Sequence, residues 1–124
     1  MPCASSPKSL TRITEFVFVF SINDSYHINK EIVIGKNKQN FYKPLYNFIE
    51  AKNNDGSNDL NKATYSTDLV VKLLDMYGIK DGILYDPFMG IGTSAKGAIK
   101  YGMNYIGSEI SKNQLEYFIK LNSD

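Results

Sequence analysis

Two glycines, Gly90 and Gly92, stand between a short apolar run, Gly82-Ile-Leu-Tyr-Asp86, and a helix-like stretch that continues to Lys100 and stops at Gly102. This punctuation constrains the chain more than any other feature. Lacking Cβ, each glycine lets the backbone turn sharply and lets a ligand lie against the main chain. A second strand-like run, Met103 to Ser108, ends at Glu109, 19 positions beyond Gly90. Strand, glycine loop, helix, strand, acid is half of a doubly wound α/β fold. In nucleotide-binding units of that kind, an acid about 20 residues past the glycines accepts hydrogen bonds from ribose hydroxyls. Ser111 and Gln114 have the spacing of a capping box for a final helix carrying Leu115, Phe118 and Ile119.

Spacing alone leaves the ligand open. Gly90-Ile-Gly-Thr-Ser-Ala95 also satisfies G-x-G-x-x-A, the dinucleotide fingerprint, so a NAD-type site fits the same residues. A tight strand-to-helix turn with a surface glutamate fits them too.

Upstream of the loop, Leu69, Val70, Leu73, Leu74 and Tyr77 fall on one face of a helix opening near Thr67. Residues 12–34 predict a β-hairpin. Phe16, Phe18 and Phe20 face one way, Val17 and Val19 the other, and Asn23-Asp24-Ser25 supplies turn chemistry before an alternating run from Tyr26 to Ile34. Residues 35–62 are irregular, with a short helix expected around Leu45–Ala51 after Pro44. The 124 residues amount to a single domain. Its parts are the hairpin (12–34), a variable segment (35–62) and the nucleotide-binding unit (63–124).

Composition excludes several classes. Hydrophobic residues make up 43% of the chain, enough to pack a core, so disorder is not expected. A net charge of +1 means that any nucleic-acid contact comes from a local basic patch. The one cysteine, Cys3, can form neither an internal disulfide nor a metal cluster, and a free-standing His27 reads as a strand-face residue, so no metal is expected. The longest apolar run, Phe16 to Phe20, is too short to cross a bilayer. With no signal-like N-terminal segment, the expectation is a soluble intracellular domain without a membrane partner.

The residues before the glycines narrow the ligand. Asp86-Pro-Phe-Met-Gly-Ile-Gly-Thr93 resembles the D-P-F-x-G-x-G-T motif of S-adenosylmethionine-dependent DNA methyltransferases that act on exocyclic amino groups, and Tyr105-Ile-Gly-Ser-Glu-Ile-Ser111 resembles that family's strand ending in the ribose-binding acid. The resemblance covers nearly the whole chain and is weakest over 35–60. It implies S-adenosylmethionine as cofactor and a partial Rossmann-like class I methyltransferase sheet with a β-hairpin. By the same resemblance Asp86 and the Gly90–Gly92 backbone hold the methionine end, Phe88 packs near the adenine, Glu109 binds the ribose, and Thr93 belongs to the same cofactor-binding set. Ala63-Thr-Tyr-Ser-Thr-Asp-Leu-Val70 is similar to the family's segment that grips the methionine carboxylate. It lacks the His and Lys of the H-P-T-x-K-P form and is closer to an A-T-F-P variant with Tyr65 and Ser66 in place of Phe and Pro. Thr64 and Ser66 are the positions carried over, and a helix N-cap is the competing role for them.

The family's catalytic loop is absent. D/S/N-P-P-Y/F/W accepts hydrogen bonds from the target amine and stacks its aromatic on the flipped base, yet no Pro-Pro pair occurs in the chain. No catalytic residue is therefore assigned, and the sheet is expected to lack its catalytic strands. Exposed strand edges invite association, so a second polypeptide bringing the catalytic half, self-association, or a truncated product is expected, and the chain alone is expected to be inactive. Between hairpin and cofactor unit, where the family places target recognition, Lys36, Lys38, Tyr42 and Lys43 are candidate DNA contacts. A solvated loop anchored by its aromatics is the competing reading. The product would be N6-methyladenine or N4-methylcytosine. The alternatives are a non-catalytic subunit that binds nucleotide or partner protein, and an RNA-directed amino-methyltransferase.

Overall fold

A computed structural model of the chain describes residues 14–24, 26–52 and 58–123. Its elements form a mixed α/β arrangement. Strand β1 (Ile32–Ile34) pairs antiparallel with β2 (Asn40–Tyr42); helix α1 (Thr67–Tyr77) follows, then β3 (Ile83–Asp86), α2 (Thr93–Tyr101), β4 (Asn104–Gly107) and α3 (Lys112–Leu121).

The part that positions the site is β3–α2–β4. The two strands run parallel, in a register that sets Leu84 against Tyr105 and Asp86 against Gly107. Strand alternation then sorts their side chains. Leu84, Asp86, Tyr105 and Gly107 are half-buried, whereas Ile83, Tyr85, Asn104 and Ile106 are exposed. Helix α2 packs on β4 and against α1. Small residues permit that approach: a Cβ on Gly97 would sit 2.3 Å from Val70 Cγ1, and Ala95 and Ala98 are fully packed. Val70, Leu74, Met89, Ile91, Ala95 and Ala98 make the core. It is centred where α1, α2 and the glycine loop meet.

Helix α1 begins where Ser66 caps it. The Ser66 hydroxyl, wholly buried, accepts the Leu69 N–H at 3.2 Å, and Asp68 places an acid in the first turn. Asn29 ties the preceding chain to this layer through its N–H to Met76 O (2.8 Å) and its amide to Gly78 O (2.7 Å).

Three expectations need correction. The expected hairpin over 12–34 is not formed among its described residues: residues 14–31 carry no strand where described, and the hairpin lies further on, between 32–34 and 40–42. The alternation over Phe16–Phe20 was sound as a pattern, but a strand exists only where a neighbour completes its ladder. Phe16, Phe18 and Phe20 are 81%, 75% and 89% exposed, with the ring centroids of successive pairs 6.3 and 6.4 Å apart. The ladder forms instead where local geometry closes a turn: Lys38 takes φ 58° and donates to Gly35 O at 2.9 Å, while the Gly35 N–H donates to Gln39 O at 2.9 Å. Nor is there a helix at Leu45–Ala51. There the Glu50 carbonyl accepts from Lys72 Nζ of α1 at 2.7 Å, a tertiary contact in place of a helical turn.

The third correction concerns the capping box. Ser111 precedes α3 but its side chain makes no cap hydrogen bond. Gln114 is drawn away by Asn61, whose amide donates to Gln114 Oε1 at 3.1 Å, and the Ser111 N–H finds Glu109 instead.

Candidate functional site

The end of β3 delivers Asp86 to the mouth of the glycine loop. Its Oδ1 accepts the Phe88 N–H at 2.9 Å, which folds the loop back on the carboxylate. Its Oδ2 accepts a short hydrogen bond from the Ser94 hydroxyl and a longer one, 3.4 Å, from the Tyr65 hydroxyl. Tyr105 lies 2.9 Å from Ser94 Oγ. Ser94 has one proton, and it is given to Asp86; the Tyr105 hydroxyl is therefore the donor to Ser94. Burial, reinforced by the neighbouring Asp86 charge, pushes the Tyr105 hydroxyl up to about 12. The same influences, burial first, raise Tyr65. Both phenols thus remain protonated donors well beyond neutral pH.

The loop itself is pinned to β4. Ser108 N–H donates to Asp86 O at 2.9 Å and Met89 N–H to Ser108 O at 3.0 Å. Gly90 and Gly92 have φ of 56° and 86°, a conformation costly for any residue with a Cβ. Their open faces are not bare. A Cβ on Gly92 would stand 2.2 Å from Cδ2 of Phe118, and one on Gly90 would stand 2.9 Å from Asn61 Nδ2. Phe88, by contrast, is 86% exposed at the loop's edge. Thr93, in the first turn of α2, is buried, and the N-cap of that helix is Gly92, which offers no side-chain acceptor to the first-turn amides.

Glu109 closes the loop from the end of β4. Its Oε2 accepts the Gly90 N–H at 2.8 Å, and its Oε1 accepts the Ser111 N–H at 2.7 Å. Each oxygen keeps a second lone pair for another donor. Beside Gly90, the Asn61–Gln114 amide pair bridges the segment before α1 to α3. Thr64 is a different case: its Oγ1 is buried without a hydrogen-bond partner, a condition that a bound polar group would relieve.

Of the residues expected from sequence, Asp86, Phe88, Gly90 and Gly92 lie on the end of β3 and the loop after it, Thr93 opens α2, and Glu109 reaches the loop from just past β4. Ser66 is the α1 N-cap. Lys36 and Lys38 lie in the β1–β2 turn, and Tyr42 ends β2 with Lys30 Nζ 5.7 Å from its ring centroid. Lys43 pairs with Glu31 at 2.8 Å, and that hydrogen bond raises its ammonium above the usual lysine range. Sequence reasoning missed Ser94, Tyr105, Asn61 and the partnering role of Tyr65. Tyr105 was within reach: strand alternation puts it on the same face as Asp86. Asn61 was not, because its contact to Gln114 spans 53 residues.

Among the described residues no cluster of three or more His, Cys, Asp or Glu could hold a metal ion, and no helix is long and apolar enough to cross a membrane. A family model described as DNA methylase, of the N6/N4 type, matches residues 2–120. Two solved structures are similar, each with a TM-score of 0.44. A crystal structure of M1.HpyAVI is 30% identical over 46% of this chain and 29% of that one. A crystal structure of the M1.HpyAVI-SAM complex is 25% identical over 58% of this chain and 38% of that one. The chain thus spans well under half the length of either protein. No curated protein matches it.

Proposed function

Since this chain belongs to the N6/N4 DNA methylase family, we propose that it forms the S-adenosylmethionine-binding part of an enzyme that methylates an exocyclic amino group of adenine (N6) or cytosine (N4) in DNA. The observation that carries this reading is the loop from Asp86 to Gly92, closed by the Glu109 carboxylate on the Gly90 N–H. It offers an acid at each end, a nearly bare aromatic ring at Phe88, and an orphaned hydroxyl at Thr64 nearby in sequence to Tyr65, which touches Asp86. These residues suit a nucleoside that carries an amino-acid tail.

In this reading Asp86 accepts from the tail's ammonium, and the α2 N-terminus and Thr64 favour its carboxylate. Phe88 lies against the base, and the free lone pairs of Glu109 take the ribose hydroxyls. Thr93 supports the loop from the first turn of α2. Ser66, occupied as the helix cap, shapes the segment that bears Thr64. The cofactor supplies an electrophilic methyl group. The β3–α2–β4 unit is half of a Rossmann-like sheet, and its partner strands carry the acceptor-Pro-Pro-aromatic loop, since the chain contains no Pro-Pro pair. Lys36, Lys38, Tyr42 and Lys43 on the β1–β2 hairpin and just past it face phosphates and bases of the DNA. The missing tetrapeptide also supports a second reading, a non-catalytic nucleotide-binding subunit. Methyl transfer that appears on adding a polypeptide with the acceptor-Pro-Pro-aromatic loop separates the two.

Calorimetry with S-adenosylhomocysteine and with NAD tests the cofactor assignment directly. Wild type should bind the former preferentially. Glu109→Gln exchanges one acceptor oxygen for an amide donor and should weaken binding by about 1–3 kcal/mol. Preferential NAD binding would overturn the assignment, and equal affinity of the two proteins would remove Glu109 from the site.

A further inference from the structure

Four separate elements converge on the Asp86 carboxylate. Asp86 ends β3, Ser94 belongs to α2, Tyr105 to β4, and Tyr65 to the segment leading into α1. We infer that Ser94, Tyr105 and Tyr65 are positioning residues which hold that carboxylate ready for the ammonium end of an amino-acid-bearing nucleoside. The inference rests on the cofactor assignment proposed above and deepens it.

A carboxylate has about four lone-pair sites, two on each oxygen. Oδ2 gives both of its sites to hydroxyls, from Ser94 and Tyr65, while Oδ1 gives one to the Phe88 N–H. The remaining acceptor site is therefore on Oδ1. Holding both oxygens fixes the plane of the group, so the ordering cost is met before a ligand arrives. Every donor is neutral. Hydroxyls and an amide satisfy the oxygens without cancelling the negative charge, as a lysine or arginine would. Such an arrangement suits a cationic ligand group. Ser94 is only 5% exposed, so water is a poor substitute for its hydroxyl. The Tyr105 hydroxyl completes a relay, Tyr105 to Ser94 to Asp86, in which each bond polarises the next.

The test uses the full chain and two probes, S-adenosylhomocysteine, which has the amino-acid tail, and adenosine, which lacks it. Ser94→Ala should weaken S-adenosylhomocysteine about tenfold, the scale of one hydrogen bond to a charged group, and Tyr105→Phe, which removes a neutral link one step further back, about threefold. Adenosine affinity should stay within about twofold, which also certifies the fold. Ser94→Thr should recover most of the loss by restoring a hydroxyl. The double variant should lose less than the sum of the singles, because both act through one relay. Unchanged S-adenosylhomocysteine affinity in both single variants would overturn this inference while leaving the cofactor assignment intact. A parallel fall in adenosine affinity would also overturn it, showing a general structural role. Failure of wild type to bind either probe would refute the cofactor assignment and this inference with it.

Discussion

Gly92 is the position at which the loop's geometry can be tested most sharply. Its φ of 86° costs an alanine about 1–2 kcal/mol in backbone strain. The added Cβ would also lie 2.2 Å from Cδ2 and 2.5 Å from Cε2 of Phe118. Carbon atoms prefer about 3.5–4.0 Å, so the ring, or α3 with it, must retreat by more than ~1 Å. Overpacking of this kind costs about 1–3 kcal/mol. Gly92→Ala should therefore lose about 2–5 kcal/mol, a large share of the roughly 5–15 kcal/mol that holds a small domain together. Gly102 provides the control. Its φ is 93°, but a Cβ there meets nothing within 4 Å, so Gly102→Ala should show the strain alone, about 1–2 kcal/mol. Phe118→Ala supplies the second: in that background Gly92→Ala should fall to the Gly102 value, a coupling of about 1–3 kcal/mol against the few tenths expected for independent sites. Urea titrations followed by far-UV circular dichroism suit a chain with no tryptophan. Equal costs at Gly92 and Gly102, or strict additivity with Phe118, would refute the packing argument. If it stands, a branched residue at Gly92 reports first on the anchoring of α3 and only afterwards on ligand space.

Stability should also depend on alkaline pH in a defined direction. Burial holds the Tyr105 hydroxyl near 12 in the folded chain against about 10 for a free tyrosine, so the folded state keeps a proton that the unfolded chain releases. The unfolded state binds fewer protons in that window, and stability falls with rising pH: the contribution is complete below about 10 and is lost as pH climbs through 12. Tyr105→Phe should flatten urea midpoints measured across this range, and an unchanged slope would remove Tyr105 as its source. Ser66→Ala should cost about 1 kcal/mol by uncapping α1, with more added if the half-buried Leu69 N–H finds no substitute. Thermal melts would show it, and a loss under a few tenths would mean that the cap is dispensable.

The elements of the last third were legible because their signals are local. Apolar runs at residues 82–86 and 103–108, glycines between them and an acid at the far end predict strand, loop, helix and strand, and those elements form over Ile83–Asp86, Thr93–Tyr101 and Asn104–Gly107. The helix opening at Thr67 was readable for the same reason: its cap and its apolar stripe lie within one short stretch. What tertiary structure alone decided is which groups are already engaged. Both Glu109 oxygens take backbone amides, Asp86 sits in a hydroxyl cluster drawn from three other elements, and Gly92 is backed by a phenyl ring from α3. The same limit moved the hairpin. Alternation at Phe16–Phe20 states which faces a strand would have, whereas a ladder needs a neighbour, and the turn at 35–39 gave that neighbour to Ile32–Ile34. Periodicity along a chain records what each residue prefers; hydrogen-bond partners and packing distances are set only when remote segments meet.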